Sequence, residues 1–308
     1  MFILLALILF LMLFALMFTL NEQWEKMRGR VIVVGLLSIA LVVGTLFLLR
    51  YWIVNTTGCI PECAGINLVG RNLHGMKLNG ANFVEANLSS VDLGQAQLDG
   101  ADFSGSTLVA INLQGANLQN SFLLGANLTG ANLAGANLTS ADLSGADLTN
   151  ANLTGVDLTQ TVLKGARLNK AALVGVNLTN AQLSAVELAG AKMNGAQLAN
   201  ANLSGAALSQ ADLSGAHLTN SNLTGAWLNL SSLIGADLTN SNLSGASLIG
   251  ADMASADLTA SRLTGSNLVG ADLKGSNLNA ADLRGVTLEL AALAPADLQV
   301  DPRVSELN

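Results

Sequence analysis

Aromatic residues are scarce in this chain, at 4% of 308 residues, and charged residues make up only 11%, although 51% of the sequence is hydrophobic. The shortage of rings excludes an ordinary globular core, which draws on large aromatics and a varied aliphatic set. The formal charge of −7 excludes a basic face able to neutralise phosphates, and with it ordinary nucleic-acid binding. There are two cysteines and two histidines. Two thiols fall short of a four-ligand zinc set. His74 and His217 lie 143 residues apart, and no nucleophile–base pair, Gly-rich phosphate loop or carboxylate–histidine cluster accompanies them. These absences leave no catalytic residues, no metal site and no cofactor to assign; the chain reads as a non-enzyme.

What is present begins with two long apolar runs. Residues 1–20 hold no charge, and neither do residues 31–49. At about 1.5 Å per residue each can cross a hydrocarbon core about 30 Å thick. The polar stretch between them carries Trp24, Lys26, Arg28 and Arg30, and Arg50, Tyr51 and Trp52 close the second run with residues suited to a headgroup boundary. Residues 1–54 are therefore expected to form a two-helix transmembrane hairpin in the lipid bilayer of a bacterial cell membrane. The first run has neither a basic leader nor a small-residue cleavage site, which sets it apart from a secretory signal. Three basic residues in the connecting stretch place that stretch in the cytoplasm and the rest of the chain outside it.

From Leu68 to Leu298 a large apolar residue falls at every fifth position, 47 times in succession. All are Leu except Phe83, Phe103, Met193 and Met253. Two places earlier stands a small residue, usually Ala, and Asn or Asp commonly lies between the two. Ser or Thr and then Gly often follow, as in Ala126-Asn-Leu-Thr-Gly. A period of five is neither helical nor that of a strand. It fits a square coil of four units, each a short extended segment and a corner, with Leu and Ala sharing the inward face. The only two aromatics in the Leu column, Phe83 and Phe103, are 20 apart, as are Val91 and Ile111 in the Ala column. Twenty-residue coils would stack each pair on one wall.

The A-(N/D)-L-x-x unit resembles the signature of the pentapeptide-repeat family over about three quarters of the chain. The resemblance implies an all-β solenoid, a right-handed quadrilateral β-helix of nearly twelve coils, here preceded by the α-helical hairpin. The expected organisation is an anchor at 1–54, a capping lead-in at 55–67, the β-helix at 68–298 and a tail at 299–308.

Among individual residues, Cys59 and Cys63 in Cys-Ile-Pro-Glu-Cys admit two readings. Cys63 lies on the repeat register and can be the first inward residue, or the pair can lock the lead-in as a disulfide in an oxidising compartment. Trp227 occupies an outward slot, odd for a large aromatic, and is a candidate partner contact. Taken modulo 20, Asp237, Asp257 and Asp297 share one wall, and Asp212, Asp252 and Asp272 the wall before it. These features favour a membrane-tethered scaffold or interaction rod, an accessory subunit of a larger membrane complex with an unidentified protein partner. The alternative drawn from the resemblance is a DNA mimic acting on DNA gyrase. The sequence does not fix the oligomeric state.

Overall fold

The computed structural model describes residues 62–292; the expected membrane spans, Cys59, Asp297 and the tail at 299–308 lie outside the described residues. The described residues fall in a compact unit that begins at Ile60, separate from the unit Met1–Cys59. Among the described residues no helix is long and apolar enough to cross a membrane.

Every unit repeats one local structure, a single bridge residue followed by a tight turn. The bridges are parallel and step by 20 residues, from Glu62 to Asn82 and onward to Asp272 and Ala292. Four bridge columns therefore form four walls. Wall one carries Asn82, Asp102, Phe122 and Asp142; wall two carries Asn87, Thr107, Asn127 and Asp147. Wall three carries Asn72, Asp92, Asn112 and Asn132, and wall four Lys77, Gln97 and Asn117. Walls one and three are opposite, as are walls two and four.

The unit 126–130 accounts for all five of its backbone donors, which is what a buried, closely stacked backbone requires. Ala126 N–H closes the preceding turn onto the Leu123 carbonyl (3.1 Å). Asn127 N–H donates backward to Ser106 (2.9 Å), while Leu128 and Gly130 donate forward to Asp147 (2.7 Å) and Thr149 (2.9 Å). That leaves Thr129 N–H, which donates to the side-chain Oδ1 of Asn127 (3.1 Å). The Asn or Asp of the repeat is thus a turn cap as well as an outward residue. In three units that lack it, an Asn one coil earlier substitutes: Asn79 Oδ1 accepts Asp99 N–H (3.1 Å), Asn169 Oδ1 accepts Ala189 N–H (2.9 Å) and Asn229 Oδ1 accepts Ile249 N–H (3.0 Å).

The last residue of each unit has positive φ, as the third residue of a type II turn must. Glycine fills most of these corners, and Asn, Ser, Ala, Gln and a few others fill the rest. Among the described corners from Gly65 to Leu290, only Gln160 does not have it. The bridge ladder is interrupted beside it, skipping Asn137–Asp157 on wall four and Val162–Gln182 on wall one. Thr161 stands there in the inward Ala column; it is only half-buried, and its hydroxyl bonds the Leu138 carbonyl at 3.2 Å. Branching alone does not part the coils, because Val91, Ile111, Val176 and Val186 are buried in the same column. What is particular to this place is a polar hydroxyl in the column beside the one described corner without positive φ.

The core is the stack of inward columns. The Leu residues of the inward column are buried from Leu88 to Leu273, and the Ala column lies beside them. Phe83 and Phe103 stack with ring centroids 5.0 Å apart and planes 12° from parallel. Val91 and Ile111 are fully buried one coil apart. Of the eight buried serines that replace the inward Ala, Ser106, Ser121, Ser231 and Ser241 turn back on the corner and donate to the carbonyl three residues earlier at 2.6–2.7 Å. The hydroxyls of Ser221, Ser261, Ser266 and Ser276 find no partner among the described residues. Cys63, 1% exposed, takes the first described place in the Leu column, and its N–H donates to Asn82 (2.8 Å).

Candidate functional site

With the interior filled by Leu and Ala side chains, chemistry is confined to the walls and corners. Among the described residues no group of three His, Cys, Asp or Glu is placed to hold a metal ion.

Wall four brings His217, Asp237, Asp257 and Asn277 into consecutive coils. The two aspartates predicted from the sequence are adjacent, yet both are engaged in their own turns. Asp237 accepts Thr239 N–H (3.0 Å) and the Thr219 hydroxyl (2.9 Å); Asp257 accepts Thr259 N–H (3.0 Å) and its hydroxyl (2.5 Å). Burial opposes ionisation of Asp237, but the bonds from Thr239 and Thr219 and the nearby His217 outweigh it and hold the carboxyl below its usual range.

Trp227 is 61% exposed on wall two, between Ala207 and Ser247. Half a coil separates it from Asp237, so the candidate contacts lie on opposite walls and belong to no common site. On the same wall Arg167 bridges Asp147 (3.0 Å) and Glu187 (3.1 Å) from neighbouring coils. Asn169 donates to Glu187 as well (2.7 Å). Glu187 is thereby shifted down, first by Asn169 and then by Arg167, and Arg167 is shifted up, chiefly by Glu187. Arg167 and Glu187 are about half exposed, so solvent screens the ladder and it adds little stability.

Wall three carries Asp212, Ser232, Asp252 and Asp272 in successive coils. Asp272 pairs with Lys274 (3.2 Å). At the far end Arg284 grips Asp282 of wall one (2.6 Å), which drives that carboxyl far below the ordinary range. Near the other end Asp92 accepts Gly94 N–H (3.0 Å) and the Asn112 amide (2.8 Å), with His74 at 3.6 Å.

These depressed carboxyls set a pH dependence. Asp92, Glu187, Asp237, Asp272 and Asp282 are more acidic folded than unfolded. Their contribution is complete above the unfolded carboxyl range, about pH 4, and is lost as pH falls through the folded values. Chemical denaturation midpoints should thus hold level from pH 7 to about 5 and decline below about 4. The decline should be shallower in Asp282→Asn. A midpoint that rises on acidification would contradict the assignment.

Sequence reasoning missed one feature of this surface. Leu230 (63% exposed), Ile249 (40%) and Leu290 (90%) line the corner between walls two and three, beside Trp227. The signal was available, since Leu stands at 230 and 290 where the repeat calls for Gly or a small polar residue.

Among curated protein sequences none matches this chain. The pentapeptide-repeat family model matches in 8 copies, over residues 66–105, 108–145, 141–180, 181–220, 216–253 and 251–289. Among solved structures, HetL is a pentapeptide repeat protein involved in heterocyst differentiation regulation in Nostoc sp. strain PCC 7120. It is 31% identical over 79% of this chain and 95% of its own, with a TM-score of 0.28. QnrB1, a plasmid-mediated fluoroquinolone resistance protein, is 19% identical over 80% of this chain and 95% of its own, with a TM-score of 0.35. Rfr23, from the cyanobacterium Cyanothece 51142, is 31% identical over 39% of this chain and 93% of its own, with a TM-score of 0.24. With the family model covering well over half its length, and its coils built on the same five-residue unit, this chain belongs to the pentapeptide-repeat family, whose members fold as right-handed β-helical solenoids.

Proposed function

We propose that this protein is a non-catalytic interaction rod, anchored in a bacterial cell membrane by residues 1–54 and serving as an accessory subunit of a larger membrane complex. One observation carries the reading: the repeat uses every inward side chain to pack the coil, so only its walls and corners remain for recognition. The two uncharged apolar runs support the anchor, and the basic residues between them support an extracytoplasmic rod. On that side of the membrane Cys59 and Cys63 would form a disulfide at the start of the coils. Trp227 on one wall and Asp237 and Asp257 on the opposite one are the partner contacts first to be tested, together with Asp297, which shares their spacing of 20 in the sequence.

The alternative, a DNA mimic directed at gyrase, requires dense acid along the rod and access to the cytoplasm. The carboxylates here come in short runs interrupted by Asn, Ser and His, and those of Asp237 and Asp257 cap their own turns.

The experiment is affinity purification of the full chain, tagged at its C-terminus, from a mild detergent extract of membranes. A second protein should co-purify in fixed ratio, and protease added to intact spheroplasts should remove the tag. Recovery of this chain alone, or a tag digested only after lysis, would overturn the complex and the topology respectively.

A further inference from the structure

Leucine is a poor choice for a corner with positive φ. The left-handed region crowds its Cβ against the following carbonyl, a cost that glycine does not meet. Yet Leu230 (φ 58°) and Leu290 (φ 59°) both adopt it. The remaining non-glycine residues with positive φ are Ala or polar, so these two are the only large apolar ones among the described residues. They occur on one corner, the edge between walls two and three, three coils apart. The intervening coils fill the gap from the neighbouring column with Ile249 and Val269, which stand one residue before the corner. Leu230 leans over the next coil: its Cδ2 lies 2.9 Å from where a Cβ on Gly250 would be, so the glycine provides its seat. Trp227 extends the strip onto wall two.

Neither the strain nor the exposure helps the coil. Leu230 and Leu290 keep most of their surface in water, 63% and 90%, and apolar area left exposed in one contiguous strip points to recognition. The strip spans three coil spacings, roughly 14 Å, which is about nine residues of an α-helix. Wall three runs beside it with Asp212 and Asp252, and Glu289 adjoins Leu290. These three carboxylates take part in no ion pair among the described residues.

We propose that the edge formed by Trp227, Leu230, Ile249, Val269 and Leu290 docks into an apolar groove on a different protein, with lysine or arginine along the groove lip that faces wall three. This rests on the interaction-rod reading and names its contact surface. The edge is convex, so its complement is concave, such as the furrow between two helices of a membrane partner. A second copy is the poorer occupant, because it would bring its own acidic wall against this one. Anionic lipid headgroups meet the same repulsion.

The test is site-specific photo-crosslinking with benzoylphenylalanine in the full chain in its native membrane. The probe is placed in turn at positions 230, 249 and 290, and at 237 on the opposite wall. Probes at 230 and 249 are expected to capture the same foreign protein, through a peptide that combines apolar residues with at least two Lys or Arg. Leu230→Gly should reduce capture from position 249 at least tenfold while raising the melting temperature of the coils, because it relieves the corner. A purely structural leucine would give the opposite stability change. Capture of a second copy or of lipid, an edge that stays silent, or capture unaffected by Leu230→Gly would each overturn the docking edge. If position 237 captures a foreign protein while the edge is silent, the rod reading stands and the edge fails. Silence at every position overturns both.

Discussion

Replacing Leu143 by Asp should eliminate the cooperative unfolding of the middle coils and expose them to protease under conditions where the parent resists. Leu143 is fully buried, and its N–H donates to the Val162 carbonyl of the next coil at 2.8 Å. Leu123 and Leu163, one coil below and one above, are equally inside, so a carboxylate at 143 faces methyl groups on both sides. An unpaired charge buried this way costs several kcal/mol even after relaxation, a large share of the roughly 5–15 kcal/mol that holds most domains folded. A solenoid feels the change twice, because each coil is stabilised by two neighbours and the substituted coil loses both interfaces. The damage is therefore expected to appear as two separate unfolding transitions, one for each flank, or as loss of folding altogether. The control is its neighbour. Asp142 points outward and uses Oδ1 to accept Ser144 N–H at 2.9 Å, a role that an asparagine oxygen also fills. Asp142→Asn should shift stability by less than about 0.5 kcal/mol. Denaturant titration followed by circular dichroism separates the two variants, and equal behaviour would mean that the inward and outward registers are misassigned.

That contrast was legible before any coordinates, because the register follows from a period of five and the coil from the spacing of 20 between Phe83 and Phe103. Other features were not legible in this way. The capping role of the Asn and Asp residues depends on a side-chain oxygen reaching the N–H two residues on, a contact that leaves no mark in hydrophobic periodicity. The parting of the ladder beside Gln160 and Thr161 coincides with the one described corner that lacks positive φ, a backbone property that the residue types do not announce. Trp227 was correctly placed outside, but a site combining it with Asp237 is impossible, since ten residues of a 20-residue coil put them on opposite walls. The apolar edge was overlooked for a related reason: corners vary so freely in composition that a leucine there gains meaning only when its positive φ is known. The residues assigned to the membrane lie outside the described ones, and their reading still rests on hydropathy and charge alone.

Truncating Phe103 is the second change with a large expected effect, and it tests whether the aromatic pair does more than occupy volume. Phe103 is fully buried and Phe83 is 1% exposed; their rings lie nearly parallel at 5.0 Å in adjacent coils near the start of the repeat. Phe103→Ala removes that stack and leaves a void between coils whose backbones are tied by bonds of 2.6–3.0 Å, such as Phe83 N–H to Asp102 and Phe103 N–H to Phe122. Tightly bonded coils cannot collapse to fill the space, so the loss should reach about 3–5 kcal/mol, the range for large-to-small changes in rigid cores. Phe103→Leu restores the residue that the column uses almost everywhere else, and should cost less than about 1.5 kcal/mol. The double cycle with Phe83→Leu isolates the ring–ring contact. A coupling of about 0.5–1.5 kcal/mol is expected for a stacked pair, whereas strict additivity would reduce the two phenylalanines to large leucines. Either outcome bears on stability at the first described coils, because in a linear stack each coil relies on its neighbour. Fraying that starts in the coils of Phe83 and Phe103 would remove the neighbour from Leu123 and Leu128 in the next coil and open the ladder toward the C-terminus.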